Sequence, residues 1–457
     1  MERVQSLRHL IPRSTVVFYK SPLLIERGEK QWLFDQNNKK YLDFFGGIVT
    51  VSVGHCHPKV QGAVEAQLKK LWHTTSIYLT RPIFEYAEKL TSTLPPHLNV
   101  CLFTNSGSEA NDLAIELARL HTGRFDMLSL RNGYHGMTQA LAGATDLGTW
   151  KQPLPQGFGI YKSLCPDPYR GIFTGGNCRD SPSQPYKRSC SCKEGKFECL
   201  MFIIECLGEC QASDKYVEQF EDTLNYDFPK ATGPAAFLAE SIQGVGGTVQ
   251  FPRGFLKRSF EATKARGGLC ISDEVQTGFG RLGSHFWGFE SQDAQPDIVT
   301  MAKGIANGFP MGAVVTTKEI ADSIGKAYYF NTFGGNPLSC TAAQATLEVI
   351  KEEKLQENCA AVGTFFIEEL KRLPKKWTGD VRGKGLMVGI ELINEEGKAL
   401  DAERVAKVFE KIKDLGVLNG KGGLNGNILR FAPPMCITKE DVQFCVEVID
   451  KAIKETL

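Results

Sequence analysis

LFTNSGSEANDLAIELARL, residues 102–120, decides how this chain is read. An apolar run at 101–104 enters a turn of small residues, Ser106-Gly107-Ser108, and passes straight into a helical pattern over 110–120. Strand, tight turn and helix in direct succession are the joint of an α/β fold. The first backbone N–H groups of such a helix are free and carry partial positive charge, which suits a phosphate. Gly107 lets the backbone approach a ligand closely, and the hydroxyls of Ser106 and Ser108 can donate. Plain N-capping by serine explains the same residues without any ligand. The turn is not a GxxxxGK[ST] motif, which occurs nowhere in the chain.

Outward from this joint the pattern repeats. Short apolar runs at 127–130, 235–240, 269–274, 298–301 and 313–316 lack alternation, as expected of strands covered on both faces. Helical periodicity marks 83–94, and it marks 60–72 with Val60, Val64, Leu68 and Leu71 on one face. The fold class is therefore α/β with a mainly parallel sheet. The tail reads as a smaller α+β unit, with helices at 338–351, 361–373, 402–415 and 439–454 and strands at 386–392 and 428–431. Segments 24–34 and 40–43 suggest strands that join it. The expected division is 1–69 joining the small domain, 70–335 as the large domain and 336–457 as the C-terminal small domain.

Composition narrows the function. The 457 residues are 42% hydrophobic and 23% charged, an ordinary globular mix. Lys+Arg 53 against Asp+Glu 52 leaves a net charge of +1, with no surplus to neutralise a phosphate backbone, so no nucleic-acid partner is expected. No apolar run approaches the roughly 20 residues of a membrane span, and no membrane partner is expected. The 14 cysteines are too dilute for a disulfide scaffold, and a reducing compartment fits them. Cys101, Cys270, Cys340 and Cys445 read as small core residues. The first twenty residues are basic without an apolar core segment, which reads either as a presequence remnant or as a short basic arm.

Two further positions carry chemistry. Asp273 ends the apolar run of GLCISDEVQTGFGRLG, where a carboxylate needs a cation or strong donors. A protonated pyridine nitrogen would serve; so would an ion pair with Arg281 or another local base. The formal GxGxxG at 278–283 is rejected as a dinucleotide fingerprint, because SHFWGF follows it in place of a helix. Lys303 follows the run 298–301 among Met301, Ala302, Ile305 and Ala306, where burial favours the neutral, nucleophilic amine. An isolated lysine there would more commonly snorkel to water. Together, a phosphate cradle, a strand-end Asp and a strand-end Lys are expected at the carboxyl ends of consecutive parallel strands. That combination provides what pyridoxal 5'-phosphate requires.

The motifs NSGSEAND, YHG at 134–136, AESIQG, SDEVQTGFGR, MAKGIANGFPMGA and NTFGGNPLSC, in this order and spacing, resemble the class III aminotransferases of fold type I. The resemblance covers nearly the whole chain. It implies a large domain with a seven-stranded, mainly parallel sheet and a smaller α+β domain. It also implies that Lys303 is the Schiff-base lysine and proton shuttle and that Asp273 keeps the cofactor ring nitrogen protonated. Gln276 is expected to reach the ring hydroxyl and Tyr134 to stack on the ring. Gly107 and Ser108 are expected to hold the phosphate, and Thr332 to reach the phosphate of a neighbouring subunit, which implies a homodimer or a dimer of dimers. Arg430, in NILRFAPPM, is expected to clamp the substrate carboxylate, and Glu240 to support the site from behind.

The implied reaction is transamination of alanine with glyoxylate, with β-aminoisobutyrate and pyruvate as a second pairing. VTVSVGHCHPKV, RLGSHFWGF, PDIVTMAKGI and GDVRGKGLMVGIE are most similar to a mitochondrial branch of the family, so a mitochondrial location is expected. The alternative is a phospho-lyase of similar framework acting on an amino-alcohol or hydroxylysine phosphate. Such lyases keep lysine where this chain has Arg430. Many ω-aminotransferases carry a glutamate where this chain has Val245, and that glutamate masks the arginine. With valine there, Arg430 is expected to remain open to small amino acids. No metal is expected: His55-Cys56-His57 precedes Pro58 and reads as the turn before a helix. Cys190, Cys192, Cys199, Cys206 and Cys210 lack paired zinc spacing, and much of KEGKFECLMFIIECLG reads as a segment extra to the family.

Overall fold

The computed structural model describes residues 2–12, 18–156, 159–174, 179, 193–194, 197–198, 211–326 and 328–457. Seven strands form its central sheet: β1 (Val100–Thr104), β2 (Met127–Leu130), β3 (Ile160–Ser163), β4 (Ala236–Glu240), β5 (Leu269–Asp273), β6 (Ile298–Met301) and β7 (Gly312–Thr316). Their spatial order is β1-β7-β6-β5-β4-β2-β3. Every pairing among β6, β5, β4, β2 and β3 is parallel, whereas β7 runs antiparallel to both β6 and β1. The sheet is mainly parallel, as expected. The expectation of three functional positions on consecutive parallel strands is corrected in one respect. β5 and β6 are neighbours, but the antiparallel β7 stands between β6 and β1, while all three strands still end at the same edge of the sheet.

The central strands β4 to β7 are buried along nearly their whole length, which explains their unalternating apolar sequence. Helix α1 (Gly107–Thr122) buries Leu113, Ala114, Leu117 and Ala118. Both chain ends build the two four-stranded sheets. Ile25–Glu29, Trp32–Asp35 and Lys40–Asp43 form a meander, joined in parallel by Val417–Leu418. Thr378–Lys384, Met387–Leu392, Ile428–Phe431 and Gly420–Gly422 form a second four-stranded sheet. Helices Leu355–Leu370, Ala402–Asp414 and Lys439–Thr456 cover them.

The helix expected over 60–72 ends earlier, spanning Pro58–Leu68. Val60 and Val64 are buried, but Leu68 and Leu71 are exposed, so only half of the apolar face meets the core. His57 caps this helix by accepting from Lys59 N, and it pairs with Glu353, while His55 pairs with Asp43. The two imidazoles thus engage different carboxylates. Cys270, Cys340 and Cys445 are buried as free thiols, and Cys101 is half-buried. The cysteine-rich stretch lies outside the described residues except for 193–194 and 197–198.

Candidate active site

The carboxyl edge of the sheet opens into a cavity of about 330 Å³. Register places its floor. Glu240 on β4 lies opposite Asp273 on β5, and Asp273 opposite Thr300 on β6, so three polar residues form one row across the sheet. Lys303 follows three residues after Thr300, in the turn Lys303–Ala306. It adopts φ 45°, a left-handed conformation costly for a residue with a Cβ and held here by the surrounding packing. Gly107, Ser108 and Tyr134 line the same cavity, as do Glu240, Asp273, Gln276 and Lys303.

Asp273 is buried, and both its oxygens are engaged. Oδ2 accepts from Asn111 Nδ2 at 2.8 Å and lies 2.8 Å from His135 Nδ1, while Oδ1 accepts from Val275 N at 3.1 Å. Asn111 is itself fixed by Thr300 Oγ1, which donates to its Oδ1, and by donation to His135 O. Arg281, the local alternative partner, points elsewhere and donates to the carbonyls of Leu386 and Pro433. His135 and Asn111 are the residues that sequence reasoning missed. Asn111 left a signal, being a buried amide inside an apolar helix face.

The carboxylate of Glu240 accepts from Tyr134 N at 3.0 Å and Gly244 N at 2.8 Å, tying two walls of the cavity together. Burial pushes its carboxyl up to about 7; the nearby His135 opposes this and Asp273 adds to it. Lys303 is held below the ordinary lysine value, chiefly by burial, with Asp273 and Glu240 opposing and the Arg430 cation adding to the shift. The ring of Tyr134 meets Trp150 edge-on, with centroids 5.3 Å apart.

The helix terminus reads as a cradle. Ser106 caps α1 by accepting from Glu109 N. A Cβ at Gly136 would lie 2.6 Å from Ser108 Oγ, so the 134–136 loop reaches this turn only as glycine. Asn105 donates to Glu109 and Asn331, fastening segment 331–335 to the same turn. Thr332 on that segment is exposed and does not line the cavity of its own chain. A buried carboxylate, a strand-end amine of lowered basicity and an open helix terminus fit an anionic, pyridine-type cofactor.

Arg430 stands on the strand Ile428–Phe431 of the second sheet, paired with Gly389 and Gly420. It is 5% exposed, and its Nη2 donates to Gln276 Oε1 at 2.9 Å. Its Nε has no acceptor among the described residues. Burial pushes the guanidinium down to about 10, with Glu240 opposing. Val245 turns its carbonyl to Gly423 N at 3.0 Å, beside the arginine, and brings no acid.

Residues 16–453 match the family model "Aminotransferase class-III", and the chain belongs to the class III aminotransferases. It is 50% identical to alanine–glyoxylate aminotransferase 2, mitochondrial, of Homo sapiens, over 99% of this chain and 88% of that protein. It is 43% identical to alanine–glyoxylate aminotransferase 2 homolog 2, mitochondrial, of Arabidopsis thaliana, over 98% of this chain and 86% of that protein. Among solved structures, a phospholyase from Arthrobacter in complex with phosphoethanolamine superposes with a TM-score of 0.85 at 30% identity, covering 99% of each chain. A PLP-bound amine transaminase from an uncultivated Pseudomonas species superposes with a TM-score of 0.83 at 28% identity, covering 98% of each chain.

Proposed function

We propose that this chain binds pyridoxal 5'-phosphate and transaminates alanine with glyoxylate, giving pyruvate and glycine, with β-aminoisobutyrate and pyruvate as a second pairing. Bound at the sheet edge, the cofactor supplies an aldehyde that exchanges amines and a ring that accepts an electron pair. Asp273, oriented by Asn111 and His135, holds a proton on the ring nitrogen. Lys303 Nζ, held at lowered basicity, would take and return the proton of the substrate Cα. Gly107 and Ser108 would hold the phosphate, and Tyr134 would lie against the ring. Arg430 takes the substrate carboxylate in a planar, bidentate pair. The burial of Arg430 without a charged partner among the described residues, its Nε free of any acceptor there and Val245 in place of an acid, carries this reading: such a site suits a small anion of carboxylate type.

The names of the 50% and 43% identical relatives support the same substrates and a mitochondrial location. The exposed Thr332 supports a homo-oligomer in which each chain completes its neighbour's phosphate site. A panel of donors and acceptors, read as loss of the visible band in half-reactions, tests the reading. Alanine and glyoxylate should bleach and restore the band faster than ornithine or γ-aminobutyrate. A colourless protein, or one that borohydride leaves without an adduct at Lys303, overturns it. The Arthrobacter phospholyase favours one rival, a phospho-lyase. Release of phosphate from phosphoethanolamine without any keto acid would replace the transaminase with that activity.

A further inference from the structure

Arg430 sits in a slot made by small residues. Glycines lie opposite it on both neighbouring strands, and a Cβ at Gly422 would come within 2.7 Å of its Cδ. The stem of the side chain is therefore confined, and only the guanidinium end has a choice of partner. That end forms no ion pair among the described residues. Its hydrogen bond goes to a neutral amide oxygen, Gln276 Oε1, 154 positions away in sequence.

A buried guanidinium normally finds a carboxylate, because a cation out of water is costly unless paired. Here the acid nearest in effect is Glu240, whose oxygens are occupied by Tyr134 N and Gly244 N. Gly244 also makes room for the amide, since a Cβ there would lie 2.3 Å from Gln276 Oε1. The 240–247 loop, the strand bearing Arg430 and Gln276 thus meet at one point. What they build is a cation whose hydrogen bond, among the described residues, goes to a neutral amide.

We infer that Gln276 is a neutral latch that positions Arg430 in the resting enzyme and yields it to an incoming carboxylate. An amide oxygen holds the guanidinium through one hydrogen bond. A substrate carboxylate offers two oxygens and a full charge, so it wins the exchange. A carboxylate at 276 would not yield, because it matches the substrate in charge. The latch sets specificity: it keeps the cation oriented while costing short carboxylates less affinity than a charged partner would. This inference rests on the reading of Arg430 as the carboxylate clamp.

The test measures binding of propionate, an unreactive carboxylate, to cofactor-loaded protein by calorimetry, with Gln276→Glu and Gln276→Leu as variants. The visible band verifies loading. Gln276→Glu should raise the propionate Kd at least about tenfold, since it adds a competing charge. Gln276→Leu should lower the Kd, because the unliganded cation loses its one side-chain acceptor among the described residues and is left less stable. A role in packing alone would weaken binding in both variants. Shifts in opposite directions, in this sense, support the latch, and any other pattern overturns it. If Gln276→Glu does not fold, tighter binding by Gln276→Leu decides alone. A wild-type protein that never shows the visible band sinks the cofactor reading instead, so the two failures are distinguishable.

Discussion

At the scale of single residues, two side chains set the electrostatics of the cavity. Glu240 holds its proton to about pH 7 in the folded, ligand-free protein, against 4.5 ordinarily. Between those values the folded state binds more protons than the unfolded state, so stability falls as pH rises. The contribution is fully present below about pH 4.5 and lost by about pH 7, on the order of 3 kcal/mol from the size of the shift. Glu240→Gln removes this titration. In cofactor-free protein, the melting temperature of Glu240→Gln minus that of wild type should increase from pH 5 to about pH 7 and level off above it, and a flat difference across pH 5 to 7 would count against the assignment. Val245 governs the other charge. Its carbonyl and the Arg430 stem both border Gly422, so the two residues are close in the fold and a glutamate at 245 is the change that tests pairing. Val245→Glu should raise KM for alanine about tenfold, the worth of one charged hydrogen bond, with a smaller change in kcat. Unchanged alanine kinetics, with ornithine already preferred by wild type, would remove the argument for an open arginine.

The turn that follows Lys40–Asp43 shows what an element costs and what holds it. Gly46, Gly47, Ile48 and Val49 all have φ between 54° and 66°, and two of them are β-branched, for which this region is strained. Asp43 holds the turn by accepting from Phe45 N and Gly46 N, and His55 holds Asp43. Just beyond it, Ser52 Oγ donates to Gly304 O, and Asn307 ties Val53 to the same loop, so the turn is packed against the one that carries Lys303. A Cβ at Gly46 would lie 2.9 Å from Ala432 O. Gly46→Ala should therefore cost roughly 1–3 kcal/mol of stability, read as a lower denaturant midpoint. A variant as stable as wild type would show that the turn relaxes without loss.

Elements also show why some of the chain was legible in its sequence. Strands β4 to β6 announce themselves because burial on both faces demands unbroken apolar runs, and Asp273 and Lys303 stand out where those runs stop. The edge strand Ile160–Ser163 carries a lysine and a serine and is less buried, so no such run exists. Thr378–Lys384 escaped for another reason: its Asp380 and Arg382 form ion pairs with each other and with Arg179 and Glu391, which lets charge sit inside. His135 and Asn111 reach Asp273 across 138 and 162 positions, a proximity created by the sheet and carried by no local pattern. Gln276 was read for its expected role toward the cofactor, while its bond to Arg430 depends on how the two chain ends return to the large sheet.

At the scale of the whole molecule, one surface is too apolar to be left in water. Trp72, Ile77, Tyr78 and Phe84 are exposed, and Leu79 is 86% exposed. Tyr328, Phe330 and Phe333 are exposed as well, and the rings of His73 and Phe333, 5.3 Å apart, join the two groups. The lower half of the helix face starting at Val60 belongs here too, which is why Leu68 and Leu71 look like core residues in sequence yet are uncovered. A patch of this size on one chain marks an interaction site. Thr332 lies within it, fastened through Asn331 to the phosphate turn. A second copy covering this surface would bring Thr332 to the neighbouring cavity, so assembly and cofactor retention should fail together. In sedimentation, wild type should run as a dimer or larger at micromolar concentration. Leu79→Asp, which places a charge in the patch at a residue that does not line the cavity, should shift it toward monomer and release cofactor on dialysis. A Leu79→Asp monomer that keeps its cofactor as wild type does would mean that each chain holds its phosphate alone, and the role proposed for Thr332 would be lost.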